Sequence, residues 1–193
     1  MKREDLTELH YITPIANLAS ILAHGILSHN RVKRLRHRSV AMMDVQERRE
    51  RKRVPGGRDL HDYANLYICG RNPMLSKRRS DNKSLAVLRI STDVLDLPGV
   101  VITDQNAACG LVRFRPSPDG LDIVDRELTF AQYWTHENPI EYKDRKARKC
   151  AEVLVPDCVA PSYIFGAYVS CPEARLVVET MGLEAVIDPH LFF

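Results

Sequence analysis

The chain is short of several things, and each shortage removes a class of function. No apolar run approaches the roughly 20 residues that a membrane-spanning helix needs, so no membrane partner is expected. The opening residues Met1-Lys2-Arg3-Glu4-Asp5-Leu6 carry charge without the apolar stretch of a secretory signal, and a cytoplasmic location is expected. The five cysteines, Cys69, Cys109, Cys150, Cys158 and Cys171, form no C-x-x-C pair. That spacing argues against a disulfide framework and a zinc ribbon, and leaves reduced, mostly buried thiols. The seven histidines, at 10, 24, 29, 37, 61, 136 and 190, fall into no H-E-x-x-H or comparable spacing, so no metal is expected. With neither an internal repeat nor a flexible linker in 193 residues, a single domain over 1–193 is expected.

Charge is present but unevenly spread. Between Arg31 and Gly57 ten Lys or Arg stand against three acids, a net +7 that leaves −4 for the rest of a chain whose total is +3. A basic patch on an acidic body suits a polyanion such as nucleic acid or dinucleotide phosphates. On charge alone, a solvated helix face would look the same.

Periodicity predicts an α+β domain with its helices weighted to the N-terminal half. Leu9 to Thr13 reads as a strand ended by Pro14, and Ile15 to Ala23 as a helix closed by His24-Gly25. Residues 28–40 read as a loop or contact-induced helix. Val40 to Lys52 reads as a helix stopped by Val54-Pro55-Gly56-Gly57. Strands are expected at Leu66–Cys69, Leu85–Ile90, Val100–Thr103, Gly110–Phe114, Ala151–Val155 and Tyr163–Val169. Short helices are expected after Arg71-Asn72-Pro73, over Leu128–Trp134 and over Pro172–Met181.

Four stretches carry polar groups that packing alone does not ask for. In the strand from Ala151, Glu152 shares a face with Leu154, while Ala151, Val153 and Val155 share the other. A carboxylate there either lies at an edge facing water or is held inward for electrostatic work. His10 shares a strand face with Ile12. Together with Thr13 and the following helix start it offers an imidazole, a hydroxyl and a helix terminus, which suit ribose hydroxyls and phosphates. Tyr67 is a stacking surface or a core tyrosine, and Arg49, among Arg48, Glu50 and Arg51, taken alone reads as a solvated helix face.

As an ordered set, His10, an Arg-Arg helix, Tyr67 and a late strand Glu152 resemble the His-Tyr-Glu arrangement of enzymes that transfer ADP-ribose from NAD. More closely, the chain resembles the DarT family of DNA ADP-ribosyltransferase toxins. The resemblance rests on HYITPIANLASILAHGIL (10–27), QERRERKRVPGG (46–57), LHDYANLYICGRNPML (60–75), the Thr103-Asp104…Arg113-Phe114 frame and RKCAEVLVP (148–156). It implies an ADP-ribosyltransferase-like fold, a central split, mixed or antiparallel sheet flanked by helices. It also implies that His10, Thr13 and Asn17 hold the adenosine-side ribose of NAD, with Arg48 close by, and that Tyr67 lines the nicotinamide pocket. Glu152 would be the catalytic glutamate and Arg49 the second catalytic residue, and the segment Arg31–Ser39 would close over NAD.

The implied acceptor is a base in single-stranded DNA, with phosphate contacts from Arg51, Lys52, Arg53, Arg71, Lys146 and Arg148. Tyr63, Tyr133, Trp134 or His136 would offer stacking surfaces. The implied partner is an antitoxin hydrolase that removes the mark, and the protein is expected to act as a monomer. Thymidine-modifying members carry a Gly-Gly insertion and histidines in the frame. Here Ser76–Lys83 is short and Asn106 and Leu111 stand in a frame without histidine. These departures lean towards guanine and a NADAR-type antitoxin, with thymine and a macrodomain-type antitoxin as the alternative. RNA or protein acceptors are a second enzymatic reading. A catalytically dead NAD- or nucleic-acid-binding module is a third.

Overall fold

The computed structural model describes residues 1–33, 35, 37–39 and 42–193. Arg34 and Arg36 of the expected basic segment, and Val40 and Ala41 of the expected helix, lie outside the described residues.

Among the described residues ten strands form: Leu9–Pro14 (β1), Ile26–Leu27 (β2), Tyr63–Tyr67 (β3), Leu85–Ile90 (β4), Val101–Thr103 (β5), Phe114–Pro116 (β6), Glu152–Pro156 (β7), Cys158–Val159 (β8), Ile164–Val169 (β9) and Ala185–Ile187 (β10). The α-helices are Leu18–His24 (α1), His29–Val32 (α2), Met43–Glu50 (α3), Pro73–Lys77 (α4), Arg126–Phe130 (α5), Pro139–Arg148 (α6) and Pro172–Thr180 (α7). Eight strands follow the order β10-β9-β4-β1-β3-β7-β5-β6, and β2 with β8 makes a separate ribbon. Every pairing is antiparallel except β9 with β10.

The joint between β1 and β3 is the feature that makes a site. The two strands share one register pair, His10 with Tyr67, whereas β1 meets β4 along six. Beyond that pair β1 and β3 part, so the sheet is two four-stranded halves hinged at one rung. That is the expected split.

One sheet face carries the main core. Leu9, Leu66, Leu88, Val153, Val155, Ala167 and Val169 pack there against Leu18 and Ile21 of α1 and Ala174 and Val178 of α7. The alternation of β7 places Val153 and Val155 in that core, while Leu154 joins a separate cluster with Val54, Leu60, Tyr63 and Ala107. On the second face Ile12, Tyr67, Leu85 and Val87 pack with Leu75 of α4 and Phe192.

Local chemistry explains the ends. Asn72 caps α4 by accepting from the amides of Met74 (3.0 Å) and Leu75 (3.2 Å), with Pro73 at the first helical position. Helix α1 stops at Gly25, whose φ of 81° is a left-handed value. A Cβ at Gly25 would also come within 2.3 Å of the Val159 carbonyl oxygen, so no other residue fits between α1 and the β2–β8 ribbon.

Several expectations need correcting. The strand expected at Leu66–Cys69 runs over Tyr63–Tyr67, because Asn65 and Ala64 pair with Leu154 and Val155 despite their weak β character. The strand expected at Gly110–Phe114 starts only at Phe114, where pairing with Thr103 begins. Residues 131–134 are not helical, since α5 ends at Phe130. The ten-residue α6, the longest helix among the described residues, was not foreseen, and with α7 it removes the expected N-terminal weighting. Its signals were an Asn138-Pro139 cap and the pairs Glu141–Arg145 and Asp144–Arg148, in a stretch with little apolar periodicity.

Candidate active site

Strand pairing builds the site first. His10 lies opposite Tyr67, and Tyr67 lies opposite Glu152, so three residues distant in sequence form one transverse row on one sheet face. Glu152 is the first residue of β7 and is completely buried. It is therefore held inward, not placed at a wet edge.

A buried carboxylate needs partners, and that of Glu152 has two, with a third contact holding its backbone. Arg49, in the last turn of α3, donates from Nη1 to Oε2 at 2.9 Å and to Oε1 at 3.2 Å. The Ala107 amide donates to Oε1 at 3.1 Å. The Glu152 amide donates to Thr103 Oγ1 at 3.1 Å, and that hydroxyl donates to the Gln105 carbonyl at 2.7 Å. Arg49 is thus a buried ionic partner and not the solvated side chain that its neighbours suggested. The Tyr67 phenol beside this pair is held well above its ordinary ionisation by burial and then by the charge of Glu152, so it stays neutral.

A cavity of about 670 Å³ opens where β1 and β3 part. Tyr11, Ile12 and Thr13 reach it from β1, Tyr63, Asn65 and Tyr67 from β3, and Arg48 and Arg49 from α3. Its size falls in the ~300–1,000 Å³ range of ligand pockets. Glu152 lies just behind the wall, covered by its own partners.

Thr13 and Asn17 stand together on that wall: Asn17 Nδ2 donates to Thr13 Oγ1 at 3.3 Å and to the Arg38 carbonyl at 2.8 Å. The Arg38 amide donates back to Asn17 Oδ1 at 3.0 Å, so Asn17 clamps the expected covering segment to the start of α1. Leu35, His37, Arg38 and Ser39 of that segment line the cavity.

His10 is differently placed from the expectation that it touches ligand. It is not among the described residues lining the cavity. Its Nε2 faces Glu8 Oε1 at 3.2 Å and its ring lies 6.4 Å from that of Tyr168. Its Nδ1 is buried without a partner. Glu8 also accepts from Arg89 Nε at 2.7 Å and from the Tyr168 hydroxyl at 2.8 Å. Burial raises the Glu8 carboxyl, but these three donors outweigh it and hold the group down at about 2.

The expected phosphate contacts divide. Of the six, Lys146 faces the cavity and Arg51 is exposed, while Arg48, expected at the NAD site and not on DNA, reaches the wall and pairs with Asp44 at 3.4 Å. The other four are engaged within the chain. Lys52 Nζ donates to the carbonyls of Ala107, at 3.1 Å, and Cys109. Arg53 closes its own turn onto the Gly57 carbonyl at 2.8 Å, and Arg148 pairs with Asp144 at 2.8 Å. Arg71 donates to the His190 carbonyl and lies 4.0 Å over the Phe193 ring. Of the stacking candidates, Tyr63 is buried in the cavity wall, Tyr133 and His136 are exposed, and Trp134 meets Phe193 edge-on.

Sequence reasoning missed two groups. Thr103 and Ala107 sit in a frame quoted only as a motif. Gln46 and His61 sit in quoted stretches but were given no role. The His61 ring nitrogen lies 3.1 Å from Gln46 Oε1, and the rings of His61 and His29 are 4.2 Å apart on the cavity wall. Burial, then the neighbouring His29 and Arg49, presses His61 down to about 4, so it is neutral near pH 7. No group of three or more metal-ligating side chains occurs among the described residues.

Residues 10–193 match the family model described as "ssDNA thymidine ADP-ribosyltransferase, DarT". A DNA ADP-ribosyl transferase of Thermus sp. (strain 2.9) is 34% identical over 161 residues, covering 77% of this chain and 74% of that protein. A DNA ADP-ribosyl transferase–DNA ADP-ribosyl glycohydrolase fusion protein of Thermosipho africanus (strain H17ap60334) is 31% identical over 96% of this chain, which spans 49% of the fusion. The structure of Thermus sp. 2.9 DarT in complex with ADP-ribosylated ssDNA superposes with a TM-score of 0.84 at 27% identity over the whole of both chains. The chain belongs to the DarT family of NAD-dependent DNA ADP-ribosyltransferases.

Proposed function

We propose that this protein transfers ADP-ribose from NAD to a base in single-stranded DNA and releases nicotinamide, as the toxin of a toxin–antitoxin pair. The observation that carries the reading is the buried Arg49–Glu152 pair behind a dinucleotide-sized cavity, in register with Tyr67 and His10.

The chemistry follows from the residue types. Breaking the nicotinamide–ribose bond develops positive charge on the ribose ring. A fixed carboxylate accepting from the 2′-hydroxyl stabilises that charge as it appears, and losing such a group commonly costs about 10²–10³ in rate. Arg49 and the Ala107 amide fix the carboxylate before substrate arrives. Thr13 and Asn17 offer hydroxyl and amide groups to a ribose, and Tyr67 a neutral aromatic surface to the nicotinamide ring. Because a paired base hides its attacked nitrogen in the stack, the substrate is a single strand. Lys146 and Arg51 are the basic side chains best free to meet its phosphates.

Two readings of the base stand. Thymine is the base that the family description names. Guanine is favoured by the short Ser76–Lys83 connection and the histidine-free frame from Thr103 to Phe114. The antitoxin is a hydrolase acting on the same mark. The Thermosipho relative, which joins a glycohydrolase to its transferase, supports that partner.

The test mixes the protein and NAD with four single-stranded oligonucleotides, each lacking one base, and reads a gain of one ADP-ribose by mass spectrometry. Glu152→Ala is the control. Product lost only when thymine is omitted fixes thymine, and product lost only without guanine fixes guanine. RNA or protein modified in place of DNA overturns the acceptor. Intact NAD in every reaction overturns the transferase.

A further inference from the structure

We propose that Lys52 is a positioning residue for Glu152, acting through the turn that carries Ala107, and not a phosphate contact. The inference deepens the transferase reading above and rests on it for its kinetic arm.

The two ends of the Ala107 residue are held by two different charged groups. Its amide donates to Glu152 Oε1 at 3.1 Å. Its carbonyl accepts from Lys52 Nζ at 3.1 Å, and the same ammonium also donates to the Cys109 carbonyl. The Ala107 carbonyl and amide belong to successive peptide units joined at one Cα, so a cation that fixes the carbonyl fixes where the amide points, while the next amide, of Ala108, donates to Asn106 Oδ1 at 2.9 Å. The turn's other ties are local or distant: the Cys109 amide donates to the Asn106 carbonyl at 2.9 Å, and the Asn106 amide to the Ala147 carbonyl at 3.0 Å. Within the described residues, Lys52 is the side chain that links the turn to α3.

That link matters because of where Lys52 starts. Its backbone amide donates to the Arg49 carbonyl at 3.1 Å, so both side chains leave the same helix end. Arg49 goes directly to the carboxylate and Lys52 goes to the turn that supplies the amide. The end of α3 therefore grips Glu152 twice, once by charge and once through the backbone of Ala107. Two of the three ammonium hydrogens are used, and the half-buried side chain is poorly placed for a mobile phosphate.

The experiment measures steady-state transfer to an oligonucleotide that the wild-type protein modifies, for Lys52→Met and Lys52→Arg. Loss of an outer partner that orients a reacting group typically costs about 10–100-fold in activity, so Lys52→Met should lose that much kcat with KM for DNA and its salt dependence unchanged. Lys52→Arg, which can still reach both carbonyls, should regain most of the kcat. A raised KM with unchanged kcat, and a log–log salt slope reduced by about 1, would overturn the proposal and make Lys52 a phosphate contact. Amide hydrogen exchange gives a second readout that needs no activity. The Ala107 amide should exchange faster in Lys52→Met and return towards wild type in Lys52→Arg. Unchanged exchange in a folded Lys52→Met protein overturns the proposal. If Lys52→Met does not fold, Lys52→Arg alone decides: kcat and Ala107 exchange that change together uphold the proposal, and lost kcat with wild-type exchange at Ala107 overturns it. A wild-type protein that modifies no oligonucleotide fails the transferase reading instead, and the exchange experiment still judges Lys52.

Discussion

Arg49 Nη1 spans both oxygens of Glu152, at 2.9 and 3.2 Å, across 103 residues of sequence, with the carboxylate completely covered. Taking both ions out of water costs several kcal/mol, so such a pair adds little net stability. What it does is hold a charge in one place. A ribose hydroxyl that is to reach Glu152 must displace part of the Arg49 contact, which puts Arg49 at the boundary between carboxylate and substrate.

The first expected outcome is energetic. Removing one partner of a buried pair costs about 3–5 kcal/mol, because the other charge is stranded. Arg49→Met should therefore destabilise the protein by that order. Arg49→Met combined with Glu152→Leu should recover much of the loss, and neither protein should transfer ADP-ribose. Urea unfolding decides: losses that simply add, within about 0.5 kcal/mol, would show no coupling.

Acid should act through His61. Its folded value is about 4, below the ordinary 6.5, so between these values the unfolded chain takes up a proton that the folded chain refuses. The stability tied to neutral His61 is complete above about 6.5 and is lost as pH falls towards 4. His29, also lowered by burial first, adds in the same direction. His61→Gln should flatten the urea midpoint over that window; an unaltered pH slope would refute the assignment.

Gly70 faces the His10 ring. A Cβ there would lie 2.9 Å from His10 Cδ2 and 3.1 Å from Cγ. Gly70→Ala must push the imidazole off Glu8 or move the loop that follows β3. Overpacking costs about 1–3 kcal/mol, and NAD binding should weaken roughly tenfold if His10 orients the cavity wall. Calorimetric titration with NAD checks this, and an unchanged Kd would remove His10 from the binding machinery.

Salt dependence should sort the basic residues. Lys146→Ala should lower the slope of log K against log salt for single-stranded DNA by about 1. Arg148→Ala and Arg53→Ala should leave it nearly unchanged, because their guanidiniums already serve Asp144 and the Gly57 carbonyl. Equal effects from all three would mean that these internal contacts open on DNA.

Much of the site could be read from residues because it is built on strands, where facing is fixed by parity. Glu152, set against Val153 and Val155, had to lie on the face opposite the main core. Arg49 could not be read that way. Its immediate neighbours are charged, and only the packing of α3 beside residues 60–62 brings it within reach of Glu152. Lys52 misled for the same reason: a cation in a basic run resembles a phosphate contact until its carbonyl partners are known. Helix α6 was hidden by its chemistry, since its support comes from capping and charge pairs and not from an apolar stripe. The row of His10, Tyr67 and Glu152 lay beyond reach without strand order, because register belongs to the fold and not to any one segment.

Most neighbouring strands of this sheet pair along several rungs, but the two halves share a single one, His10 with Tyr67. The strands part on one side of that rung, so the cavity takes its walls from both halves, Thr13 from one and Asn65 from the other, while five rungs of β3 and β7 keep Tyr67 beside Glu152.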